Sequence, residues 1–152
     1  MSKRAEQGLR ARFGEGAIAR HPVHGRFSRQ RRLLKHADFD SVYRNGRRHF
    51  TAHMTVFYLA TKEPGVGPRV GLTVGRALGT AVVRNRIKRR LREAVRFSLE
   101  KLATPVDVVI NPKKSVLMLD FSQLRAEVEA AFRTLNDKIA RSQSRADRQA
   151  DA

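Results

Sequence analysis

The sequence predicts an α+β domain in which a mixed sheet of about four strands packs with three helices in a two-layer sandwich, in the order α-β-β-β-α-β-α. Three observations carry that reading: an apolar stripe at three- and four-residue steps through residues 83–95, a second such stripe through residues 121–139, and short branched or aromatic runs at Met54–Leu59, Arg69–Arg76 and Val106–Ile110. The chain of 152 residues with 41% hydrophobic residues suffices for one domain with tails.

In order, residues 1–32 are rich in arginine and glycine and have no helical or strand period, so they are expected to form a basic, disordered arm ahead of a domain spanning residues 33–140. From Leu33 to Gly46 the spacing of Phe39, Val42 and Tyr43 predicts a short helix with an aromatic face, stopped at Asn45-Gly46. On spacing alone, that face belongs to the core. Met54-Thr55-Val56-Phe57-Tyr58-Leu59 reads as a strand, with a further strand around Arg48–Thr51 broken at Ala52-His53. After the turn at Pro64–Pro68, Arg69–Arg76 alternates apolar with small or polar residues and is expected to be the second arm of a hairpin.

Thr80 is the expected N-cap of a helix running to about Leu102, whose apolar residues Val83, Ile87, Leu91, Ala94 and Val95 share one side. The other side is basic: Asn85, Arg89, Arg92 and Arg96 align at the same spacing, Lys88 stands on its shoulder, and Arg84 and Arg86 occupy the first turn. Glu93 is the only acid between Arg84 and Arg96. Cations in a first turn oppose the helix dipole, typically by ~0.3–1 kcal/mol each, so a polyanion is the natural counter-charge. Guanidinium forks suit phosphate oxygens.

Thr104–Pro112 is a nearly continuous apolar run, the pattern of a buried strand. Because a helix joins it to the strand before, the two should be parallel neighbours in an otherwise antiparallel sheet. Phe121, Leu124, Val128, Ala131, Phe132, Leu135 and Ile139 mark the last helix, capped by Asp120 or Ser122, and residues 141–152 are expected to be a disordered tail.

Composition narrows the function. With 32 Lys+Arg against 14 Asp+Glu the formal charge is +18, which points to nucleic acid. The absence of cysteine excludes disulfides and Cys-based zinc sites, and no run approaches a membrane span or a signal peptide, so cytoplasmic residence is expected, with no membrane partner and no small-molecule substrate. A protein-only nuclease would need clustered carboxylates or histidines, yet Asp38, Asp40, Glu93 and Asp107 are scattered. The pairs His21/His24 and His49/His53 lack further ligands at metal spacing. No catalytic or metal-ligating residue is assigned to the protein. A non-catalytic RNA binder of the ribosomal type remains the alternative on charge and composition.

The stretch Val70-Gly71-Leu72-Thr73-Val74-Gly75-Arg76, followed by Gly79-Thr80-Ala81-Val82-Val83-Arg84-Asn85-Arg86-Ile87-Lys88-Arg89-Arg90-Leu91-Arg92-Glu93, resembles the protein component of bacterial ribonuclease P, and the likeness extends from about Leu33 to Lys138. The resemblance implies a ribosomal-protein-S5-domain-2-like topology with a left-handed crossover between the parallel strands. It further implies an RNA-dependent endoribonuclease in which ribonuclease P RNA, with Mg²⁺ held mainly by RNA and substrate, removes the 5′ leader of precursor tRNA. By resemblance, Arg84, Asn85, Arg86, Lys88, Arg89, Arg90 and Arg92 meet the catalytic RNA. Phe39, Tyr43 and Tyr58 match aromatic positions of a cleft between first helix and sheet that receives the leader, which moves Phe39 and Tyr43 out of the core reading. Arg69 and Arg76 are further candidates for the leader phosphates. Gly75-Arg76-Ala77-Leu78 carries one cation fewer than the family pattern, and Thr80 replaces a frequent asparagine, so no metal contact is carried over.

Overall fold

The computed structural model describes residues 27–61, 67–103 and 105–151. Its elements are α1 (His36–Asn45), β1 (Arg47–Phe50), β2 (Met54–Ala60), β3 (Arg69–Leu72), α2 (Ala81–Ser98), β4 (Val106–Pro112) and α3 (Phe121–Asp151). Gly46 ends α1, its N–H donating to the Val42 carbonyl, and leads directly into β1. Asp120 caps α3 reciprocally: its carboxylate accepts the Gln123 N–H at 2.8 Å while the Gln123 side chain accepts the Asp120 N–H at 3.0 Å. The Gln123 N–H and the Ser122 hydroxyl hold the Asp120 carboxyl below its usual range.

The four strands lie in the order β1-β2-β4-β3, with β3 and β4 parallel and the other pairs antiparallel. The expected mixed sheet and parallel pair are present, but the expected hairpin is not. β4 lies between β2 and β3, because it is the most buried strand, and a segment buried on both faces takes a central position.

Strand alternation then builds two cores. Met54, Val56, Tyr58, Val70, Val108 and Ile110 point to one face, where they meet Ile87, Leu91 and Val95 of α2 and Leu124, Val128, Phe132 and Leu135 of α3. That pairing of sheet and helices is the main two-layer core. On the other face Val109 joins Val42 and Leu33 in a smaller cluster, with Phe39, Phe57 and Leu59 packed against it, so α1 covers part of that surface. Gly71 permits the approach: a Cβ there would stand 2.6 Å from Phe39 Cζ.

Three boundaries differ from expectation. Leu33 is not helical; its N–H donates to the Val70 carbonyl and extends the β3 edge. Residues 27–32, expected within the disordered arm, are docked: Phe27 is buried in the main core, and Arg32 Nε donates to its carbonyl at 2.8 Å. The rest of that arm, with His21 and His24, lies outside the described residues. The C-terminal tail is helical to Asp151, since residues 140–151 contain no glycine or proline to stop α3.

Candidate nucleic-acid interface

The outward side of α2 is set by its cap and its stripe. Thr80 Oγ1 accepts the Val83 N–H, and burial of Ile87, Leu91, Ala94, Val95 and Ser98 fixes the rotation of the helix. Asn85, Arg86, Arg89 and Arg92 are consequently exposed, while Arg84 and Lys88 lie half-buried at the margins. Arg90 departs from the sequence assignment. Its guanidinium donates to the Val116 carbonyl at 3.3 Å and to that of Leu119, tying α2 to the turn before α3. With two of its N–H donors spent on backbone carbonyls, this cation serves as a structural tie. Arg96 pairs with Glu93 and lies 4.7 Å from the Phe97 ring centroid.

Beside this face, Arg29 and Arg32 join Arg92, Glu93 and Arg96 around a shallow cavity of about 610 Å³ that Phe27 helps to line. Arg29 and Arg32 fall within the stretch 1–32 that the sequence predicts to be a basic arm. Phe27, an isolated large apolar residue among arginines, is the sequence signal that the chain docks there.

On the opposite face of the sheet, Tyr43 at the end of α1 packs edge-on to Phe57, centroids 4.8 Å apart, and its hydroxyl bonds with Thr73 Oγ1 at 2.8 Å and Asn111 Oδ1 at 3.0 Å. Arg48 lies 5.9 Å from the Phe57 centroid, and Phe50, 63% exposed, shares that face on β1. Phe39 is half-buried over Gly71. The result is an open groove floored by aromatic rings and rimmed by hydroxyl, amide and guanidinium groups.

Tyr58 is not in it. One residue on from Phe57, it points to the α2/α3 side, where it is 6% exposed and burial raises its phenol pKa against the influence of Arg47. Phe57 holds the place assigned to Tyr58; strand alternation decides between them, and β2 has apolar residues of both parities. Arg69 is also otherwise engaged, forked onto Asp107 at 2.9 and 2.8 Å and reaching Asp38 at 3.5 Å. Arg76 is exposed in the turn before α2, with no side-chain partner among the described residues.

His53 and His49 serve the scaffold. His53 and Thr51 at the β1–β2 turn bind Glu127 of α3 through the His53 ring at 2.6 Å, the His53 N–H at 3.1 Å and the Thr51 hydroxyl at 2.6 Å. Burial raises the Glu127 pKa, but these donors together outweigh it and leave the carboxyl below its usual range. His49 lies 3.1 Å from Lys138 Nζ, and burial, reinforced by that cation, lowers its pKa.

These features define a class: a small basic α+β protein with an arginine-faced helix on one side of its sheet and an aromatic groove on the other. The ribonuclease P family model matches residues 27–136. A ribonuclease P protein component from Desulfovibrio desulfuricans is 39% identical over 109 residues, covering 70% of this chain and 84% of that protein. The solved Staphylococcus aureus RNase P protein superposes with a TM-score of 0.58 at 27% identity, covering 66% of this chain and 90% of that one. The Thermotoga maritima RNase P protein shares the fold, with a TM-score of 0.61 at 24% identity over 68% of this chain and 96% of its own. This chain belongs to the ribonuclease P protein family. Its role is that of an RNA-binding protein subunit of ribonuclease P in tRNA processing.

Proposed function

We propose that the two sides of the sheet serve two RNAs: the arginine face of α2 binds the catalytic ribonuclease P RNA, and the aromatic groove holds the 5′ leader of precursor tRNA. The observation that carries this reading is the placement of the exposed Arg86, Arg89 and Arg92 on one side of the sheet and of Tyr43 and Phe57 on the other. A leader of variable sequence is well served by stacking, because every base has a π-face, while Arg48 and Arg76 supply cations for its phosphates.

In this reading the bond is broken by the RNA subunit with Mg²⁺, the protein acts by positioning, and the complex works in the cytoplasm. The protein's own residues do not fit a metal cage. Among the described residues no three His, Asp or Glu side chains gather, and Asp38 and Asp107 near the groove are held by Arg69. No described helix is long and apolar enough to cross a membrane.

The test is cleavage of precursor tRNA by a bacterial ribonuclease P RNA at low Mg²⁺, with and without the protein. Faster leader removal with protein is expected. A rate equal to that of RNA alone would reject this reading and favour a non-catalytic RNA binder of the ribosomal type.

A further inference from the structure

α3 outruns the domain. Its last buried residue is Ile139, yet the helix continues to Asp151, about 18 Å further at 1.5 Å per residue. The family match stops at residue 136, ahead of this extension. An exposed polar helix of that length gains nothing from a core and is marginal on its own.

The extension begins over a concentration of positive charge. Lys138, Arg141 and Arg145 lie on one side of α3 at steps of three and four and meet Arg47 of β1 around a hollow of about 310 Å³. Arg48, Ser142 and Tyr58 complete the hollow. Lys138 contacts His49, and none of Arg47, Arg141 or Arg145 has an acidic partner among the described residues. The Tyr58 phenol, an O–H donor at neutral pH, has its pKa raised further by burial. Apart from the hydroxyl lone pairs, the side chains here offer donors only, and Arg47, Arg48, Lys138, Arg141 and Arg145 are cationic. Phosphate, with acceptors only, is their chemical complement.

We propose that this hollow and the α3 extension form a second phosphate-binding surface for the catalytic RNA, separate from the arginine face of α2. The assignment rests on the proposed function. Position favours the catalytic RNA over the leader: Arg47, Tyr58 and α3 lie on the same side of the sheet as α2, and of the lining residues only Arg48, at the β1 edge, belongs to the face of the aromatic groove. α2 packs over β3 and the hollow sits at β1, the opposite edge, about 14 Å away across three strand spacings. A folded RNA spanning that distance engages both surfaces, and the second contact acts at high effective concentration.

The test uses the full chain with a bacterial ribonuclease P RNA. Arg141 and Arg145 are exposed beyond the last core contact, so R141A/R145A should keep the fold, checked by circular dichroism. The double variant is expected to flatten the log-log salt dependence of RNA affinity by about 1.4–1.8 units, at roughly 0.7–0.9 per lost phosphate contact. R141K/R145K should retain most of the slope, and the assembled holoenzyme should bind precursor tRNA as before. An unchanged slope in R141A/R145A alongside a reduced one in R86A/R89A would overturn this inference and leave the proposed function standing. A loss confined to leader-dependent substrate binding would also overturn it. If neither pair of substitutions moves the slope, both this inference and the assignment of α2 to the catalytic RNA fail.

Discussion

Phe57 and Tyr58 are neighbours in sequence and face opposite sides of the sheet, so replacing each by leucine separates groove from core. Phe57→Leu removes a stacking surface but keeps a side chain able to pack beside Val109 and Leu59. A stacked base contributes ~1–3 kcal/mol, equivalent to about 5- to 140-fold in affinity. Phe57 is half-buried and presents only part of its ring, so the lower part of that range applies, about 5- to 20-fold. Tyr58→Leu removes a ring that is 6% exposed in the main core, which should lower stability by about 1–3 kcal/mol. The assay is the holoenzyme KM for precursor tRNA with a long leader divided by that for a substrate trimmed to one leader nucleotide. The ratio should shift in Phe57→Leu and not in Tyr58→Leu, whose effect should appear in Tm. The reverse result, or an equal shift in both, would refute the face assignment.

Arg90→Ala should lower stability by about 1.5–3 kcal/mol through its two lost carbonyl contacts, seen as a fall in Tm, and should leave the salt slope of RNA binding nearly unchanged, unlike Arg86→Ala or Arg89→Ala. Gly71→Ala should overpack Phe39, costing about 1–3 kcal/mol in denaturant unfolding and weakening leader binding by displacing that ring. The folded Glu127 pKa lies below its unfolded value, so its contribution is present above the unfolded pKa and is lost as pH falls through the folded one. Glu127→Gln should therefore be less stable at neutral pH, with a shallower loss of stability on acidification, measured by urea titrations between pH 3 and 7.

The helices were legible because their signals are local. The stripe Ile87, Leu91, Ala94, Val95 is the buried side of α2, and Leu124 to Ile139 is that of α3. The face of an aromatic residue on β2 was less legible: with Val56, Phe57, Tyr58 and Leu59 in succession, both parities are apolar, and only the packing of α1 against one side resolves them. Partner choice was illegible for the same reason in the arginines. Arg90 sits among cations of identical local character, and what distinguishes it is the proximity of the Val116 and Leu119 carbonyls, 26 and 29 residues away in sequence. Arg69 was taken from the groove by Asp107, whose position depends on β4 inserting beside β3. The signals for non-local pairing are weak in sequence, and the misplaced hairpin has the same origin.

The central claim is that opposite sides of one sheet touch different RNAs. The chain has no cysteine, so single tethering sites can be introduced without background. Iron–EDTA attached to Asn85→Cys on α2 or to Phe50→Cys on β1 would cleave whichever strand lies nearby in the assembled complex with precursor tRNA. The α2 tether should cut the catalytic RNA and spare the leader, and the β1 tether should cut the leader. Cleavage of the same RNA segment from both tethers would contradict the account.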